Sequence, residues 1–284
     1  MADVSAADIA ALRKQTGAGM LDCKKALEES GGDLDAAKDW LRTKGLAGAS
    51  KRAGRAADNG AIDVAVDGTT AALVELTCET DFVAKGADFT AIIGDLVNQV
   101  LEGTADGLAD QPFIGDASQT VGEAVTQLGS KLGEKVELGR VVRYDSPDGI
   151  LDGYKHLQND RGTVGVIVEL GGVSPADPRA REVAHDIALH IASAGPRYVT
   201  RADVPAEVVD KERAVLEELT RNEGKPEQAL PKIIEGRLNG FYKDNVLLEQ
   251  GFVKEPKTTV ASLVDSLGGD AEVRRFARVK IGEE

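Results

Sequence analysis

Few side chains in this sequence have the type and spacing for covalent or acid–base chemistry. Cys78 precedes Thr80-Asp81-Phe82-Val83, but no neighbour in sequence supplies a base for its proton, so the thiol reads as buried and unreactive. Asp186 and His190 stand four apart, a spacing at which a carboxylate can orient an imidazole on one helix face. That is half of an acid–base pair, with no nucleophile beside it. His185 and His190 are five apart and do not share a face, which makes them a poor metal pair. Cys23 and Cys78 are isolated, which argues against zinc and a disulfide framework and fits a reducing compartment. No GxSxG, HExxH or phosphate-loop pattern occurs. Gly17-Ala18-Gly19 lacks a preceding strand, and Asp22 stands where a third glycine is needed, so it reads as a turn between helices. Met20, on that turn, would be exposed and suited to protein contact.

Charge narrows the partners. A net charge of -14 repels a phosphate backbone, and 4% aromatic residues leave few platforms for stacking bases. The expected partner is therefore another protein, with no nucleic acid. No apolar run is long enough to span a membrane, and Met1-Ala2-Asp3-Val4-Ser5 lacks a basic stretch followed by an apolar one. A cytoplasmic protein without cofactor or metal is expected.

The elements that must position these residues fall into five blocks of an α+β chain. Residues 1–55 read as a three-helix module. Ser5 with Asp8 caps the first helix, Gly17 to Gly19 breaks it, and Asp33 caps a third helix that Gly45 ends. Such small bundles resemble a ubiquitin-associated-type fold. Lys51-Arg52-Ala53-Gly54-Arg55 reads as a solvated passage into a linker. Residues 56–145 change to a period of two: alternation from Ala61 to Asp67 and from Ala71 to Thr77 predicts a hairpin. Helices over 87–101 and 121–132, with an acidic loop from Asp106 to Asp116 between them, lead to a strand from Lys135 to Tyr144. Residues 146–204 begin the pattern again, and residues 246–284 complete it; Val74-Glu75-Leu76 echoes Val168-Glu169-Leu170. The core is thus two related α+β subdomains with antiparallel sheets. Residues 205–245 form an inserted antiparallel helical hairpin, with stripes from Val208 to Leu219 and from Leu230 to Phe241. Thr80 to Lys85 then lies at a strand-to-helix corner, where an acid and an aromatic ring can project on a rigid base. Spacing alone favours a buried Phe82.

Two long signatures resemble the elongation factor Ts family. The first is Leu12-Arg13 with Thr16-Gly17-Ala18-Gly19-Met20 and Cys23-Lys24-Lys25-Ala26-Leu27; the second is Cys78-Glu79-Thr80-Asp81-Phe82-Val83-Ala84. Gly224-Lys225-Pro226 and Glu235-Gly236-Arg237-Leu238 are similar to its coiled-coil region. The resemblance implies a nucleotide exchange factor that releases GDP from the GTPase elongation factor Tu without binding nucleotide itself. It implies that Thr80, Asp81, Phe82 and Val83 dislodge magnesium from the partner's GTPase domain, and that Leu12, Met20 and His190 make further partner contacts. The hairpin would then be the surface for a homodimer. Two other readings compete: an adaptor that binds through the N-terminal module alone, and an enzyme centred on Cys78 or on Asp186 with His190.

Overall fold

The computed structural model describes residues 4–283, the side chains of Leu46 and Ala47 apart. Met1–Asp3, where no leader sequence is expected, and Glu284 lie outside the described residues. Helices and small antiparallel sheets together place the chain in the α+β class.

Ser5 opens α1 (Ala6–Thr16) by accepting the Asp8 N–H, and Gly17 closes it at φ 67°, a left-handed value that a side chain resists. α2 (Met20–Glu29) and α3 (Leu34–Arg52) follow. The three helices enclose Leu12, Cys23, Ala26, Leu27 and Ala37. Gly45 does not end α3, which runs on to Arg52. Its missing side chain serves a close approach instead: a Cβ there would sit 3.2 Å from Ser130 Oγ, whose hydroxyl donates to the Gly45 carbonyl. The basic run is likewise not a free linker. Arg52 donates to Ser130 at 3.2 Å and Arg55 to Glu79 at 3.1 Å, tying the module to the core.

The core is built twice. In the first half β1 (Asn59–Asp67) and β2 (Thr70–Cys78) form the hairpin; α4 (Asp81–Ala84) and α5 (Ala87–Glu102) follow it. Next come β3 (Pro112–Phe113), β4 (Asp116–Thr120), α6 (Val121–Leu132) and β5 (Val136–Asp145), which pairs with β2. The expected loop from Asp106 to Asp116 therefore holds a two-residue strand, too short to show a period in sequence. In the second half β6 (Ile150–Gln158), β7 (Arg161–Gly171) and α7 (Pro178–Ala194) repeat the order. After the helical pair α8 (Ala206–Asn222) and α9 (Leu230–Asn245) come β8 (Gly251–Phe252), β9 (Glu255–Thr259), α10 (Val260–Asp265) and β10 (Glu272–Lys280). The sheets run β1-β2-β5 and β6-β7-β10.

These two sheets face one another. Along β2, Ala72, Val74, Leu76 and Cys78 join the core of α5 and α6, while Ala71 and Leu73 turn to the other sheet. Along β7, Val164, Val166, Val168 and Leu170 join α7, while Ile167 turns back. Ile62, Leu151 and Val279 complete the shared layer. A Cβ on Gly165 would lie 2.4 Å from Ile62 Cγ2, so glycine here lets the sheets close on each other.

The apolar seam of α8 and α9 encloses Leu230, Ile234 and Leu238, with Val209, Leu216 and Tyr242 against them. Val215 and Leu219, part of the expected stripe, are exposed, so the seam is narrower than the stripe. Main-chain hydrogen bonds close the base of this arm. Arg197 and Tyr198 donate to the Asn245 carbonyl at 2.8 and 3.1 Å; Leu247 and Leu248 donate to Tyr198 and Val199 at 2.8 and 3.2 Å.

Overpacking the shared layer with Gly165→Val is expected to lower the unfolding free energy by about 1–3 kcal/mol in urea titration. Gly236→Ala on α9, where a Cβ meets nothing within 4 Å, is expected to raise it by about 0.5–1 kcal/mol. An unchanged midpoint for Gly165→Val would mean that the sheets do not touch there.

Candidate functional site

Where β2 ends at Cys78, the chain turns through a corner in which its own polar groups bond one another. Thr80 is extended (φ -128°, ψ 153°), and its hydroxyl oxygen accepts the Val83 N–H at 3.4 Å, capping the single turn of α4. The Thr80 carbonyl accepts the Ala84 N–H at 3.3 Å and the Cys78 thiol at 3.2 Å. Gly86 donates to Val83 at 2.9 Å and then, extended, caps α5. Burial, helped by the nearby Glu134 charge, pushes the Cys78 thiol up to about 12, so it stays protonated and inert.

On this base the corner carries an acid and a ring. Val83 and Ala84 turn into the first core cluster. One residue earlier on a single helical turn, Phe82 points the other way and is 83% exposed, contrary to the burial its spacing suggests. Lys85 Nζ lies 5.8 Å from its ring centroid and 2.5 Å from the Asp81 carboxylate. The hydrogen bond from Lys85 holds the Asp81 carboxyl below its ordinary range, so Asp81 is ionised.

Glu134 is the residue of this corner that the sequence does not point to. It follows Gly133, which stops α6 at φ 77°. One of its oxygens accepts the Glu79 and Thr80 N–H groups at 3.1 and 2.9 Å, and the other accepts the Thr80 hydroxyl at 2.6 Å. Glu79 answers by accepting the Lys135 N–H at 2.7 Å and the Arg55 guanidinium at 3.1 Å, which together hold its carboxyl below the usual range. Two neighbouring pairs of residues thus clasp each other across the corner. The glycine after α6 marks a turn in sequence, but nothing local says where the next carboxylate reaches.

The remaining predicted residues divide between surface and interior. Met20 is 59% exposed and lines an apolar groove with Ala6, Ile9 and Ala10, and Leu21, next in the chain, is 82% exposed. Leu12 is wholly buried and supports that turn from beneath. His190 is 1% exposed. Its Nδ1 accepts the Val253 N–H at 3.2 Å, which assigns the proton to Nε2, the donor to Gln250 Oε1 at 2.9 Å. Burial holds the His190 pKa below its ordinary value, only partly opposed by the Gln250 bond, so the ring is neutral. Asp186, expected to orient it, instead pairs with Lys254 at 2.5 Å, and His185 pairs with Asp152 at 3.0 Å.

The first half explains the place of His190. There Gln99 of α5 accepts the Ile114 N–H at 2.9 Å and donates to Gln111 at 3.3 Å. His190 makes the matching bonds from α7 to Val253 and Gln250. Each side chain fastens a short hairpin, β3–β4 or β8–β9, to the long helix of its own half.

These features define the class: a twice-built α+β protein with an N-terminal helical module and a stiff corner tipped by an exposed ring. Residues 79–283 match the family model described as Elongation factor TS. Elongation factor Ts of Thermobifida fusca (strain YX) is 46% identical over 290 residues, covering 100% of both chains. That of Micrococcus luteus is 46% identical over 288 residues, covering 99% of this chain and 100% of the relative. The chain belongs to the elongation factor Ts family of translation elongation factors.

The neutral His190 carries a pH signature. The unfolded chain takes up a proton near pH 6.5, whereas the folded ring resists it to lower pH. This contribution is therefore full above about pH 6.5 and is lost as the pH falls from there toward the folded value. Urea midpoints between pH 7.5 and 5.5 are expected to fall more steeply for the unaltered chain than for His190→Gln, the residue that the first half uses. Equal slopes would show that the folded ring takes up its proton as readily as the unfolded one.

Proposed function

We propose that this chain is the guanine nucleotide exchange factor for elongation factor Tu, acting in the cytoplasm by binding rather than by covalent chemistry. The observation that carries the reading is Phe82, exposed on a hydrogen-bonded corner next to an ionised Asp81. In this reading Asp81 and Phe82 enter between helices of the partner's GTPase domain and disturb the magnesium that, with phosphate-loop amides, holds GDP. Met20 and Leu21 dock the N-terminal module on the same domain. His190 acts through the hairpin it fastens, since its ring lies beneath that hairpin. An inert Cys78 and an Asp186 committed to Lys254 leave the enzyme reading without a nucleophile or a base pair.

Energy requires several contacts at once. An exchange factor weakens GDP by the factor by which GDP weakens it. A ~10⁴-fold effect needs about 5.5 kcal/mol of differential binding. Burying one phenylalanine ring supplies roughly 1.5–3 kcal/mol. The remainder must come from the helical module and the second half of the core.

Stopped-flow release of a fluorescent GDP from elongation factor Tu tests this. Asp81→Ala with Phe82→Ala is expected to slow release roughly ten- to a hundredfold. Its melting temperature is expected to stay within about 2 °C, as for exposed residues. Cys78→Ala is expected to exchange at a near-normal rate. Binding without acceleration by the unaltered chain would favour an adaptor built on the Met20 groove of the N-terminal module; a large fall in melting temperature with exchange intact would make Phe82 structural.

A further inference from the structure

The structure assigns Glu134 as the positioning residue that aims the Asp81–Phe82 tip, an inference that rests on the exchange reading above. Phe82 is exposed and has no core contact to hold its direction. α4 is four residues long, far below the length at which a helix sustains itself. Val83 and Ala84 hold the tip from behind in the first core cluster, and its other fixed point is the pair of residues just before it. One carboxylate does so with three hydrogen bonds: from the Glu79 N–H, the Thr80 N–H and the Thr80 hydroxyl. Bonds to an ionised acceptor are about twice as strong as neutral ones.

The hydroxyl bond has a directional effect. Thr80 has a single hydroxyl proton, and Glu134 takes it at 2.6 Å. The oxygen's lone pairs are then free to face the Val83 N–H, the bond that caps α4 and sets the angle at which Phe82 leaves the corner. Glu134 is itself anchored, because Lys135 beside it donates its N–H to Glu79. Its removal leaves β2 and α5 held by their own core, in which Leu76, Phe89 and Ile93 are buried. The loss therefore falls on the tip. A tip that is ordered only on binding charges its ordering entropy to the strained complex.

The test is GDP release measured against factor concentration up to saturation. A loose tip lowers the plateau rate, since the GDP-bound complex forms but seldom reaches the strained state. A merely misfolded fraction shifts the half-saturating concentration and leaves the plateau alone. Glu134→Ala is expected to lower the plateau about tenfold, and Glu134→Gln, which keeps one acceptor oxygen for the two N–H groups but presents an NH2 to the Thr80 hydroxyl, to lower it by a smaller factor of about threefold. Amide hydrogen exchange of residues 79–84 in the free Glu134→Ala protein is expected to quicken, whatever the partner. Should Glu134→Ala fail to fold, Glu134→Asp, with its oxygens drawn back by one methylene, is expected to lower the plateau at least threefold. A full plateau in whichever of these two variants folds, or unchanged hydrogen exchange in the corner, overturns the assignment. No acceleration by the unaltered chain would overturn the exchange reading, and this inference with it; acceleration that Phe82→Ala leaves intact would overturn this inference and the wedge role of Phe82 while exchange activity itself stands.

Discussion

Everything in this molecule hangs on two strands that are buried on both faces. β2 and β7 each pack one face on helices of their own half and the other on the opposite sheet. Burial on both sides removes the freedom to slip, because a one-residue shift would move every side chain to the wrong layer. The corner begins where β2 leaves this vise. The position of Phe82 is therefore set by a core whose nearest members, Cys78, Val83 and Ala84, point the opposite way. Stiffness at the tip comes from apolar packing behind it and from the Glu79–Glu134 clasp beside it.

The shared layer also contains a polar exception that is made twice. Glu75 in β2 and Glu169 in β7 are both buried, at matching places. Glu75 accepts the Arg140 N–H at 3.0 Å where the pairing of β2 with β5 shifts register. Glu169 accepts the Ser146 hydroxyl at 2.7 Å and Arg275 at 2.6 Å, beside the register shift of β10 on β7. Burial alone would raise the Glu169 pKa; the hydroxyl and two guanidiniums outweigh it and keep the group charged. A buried carboxylate deprived of such partners would be a large penalty. Here it marks a bulge and so helps to define the register of the third strand in each sheet.

Much of this was legible in the sequence because it is periodic or capped. Alternation located the first long hairpin and the recurrence of the pattern the second, and Ser5, Asp33 and Gly17 marked helix ends by their own chemistry. The echo of Val74-Glu75-Leu76 in Val168-Glu169-Leu170 pointed to the matching central strands. What escaped is what depends on distant partners. Gly45 looked like a stop, yet it is a point of contact with Ser130, 85 positions away. Asp186 and His190 have the spacing of a pair, but Lys254 engages the one and Gln250 the other. The outward turn of Phe82 and the reach of Glu134 are likewise settled by partners distant in sequence.

The arm formed by α8 and α9 has a consequence of a different kind. Its two ends are stitched together at the base by four main-chain hydrogen bonds between residues 197–199 and 245–248. Closing a longer or shorter excursion between fixed ends changes the free energy only logarithmically with length. The core is thus indifferent to what is hung beyond the stitch. Such a site is open to evolutionary drift in size: a lineage can extend, trim or exchange the arm without renegotiating the two sheets that carry the corner.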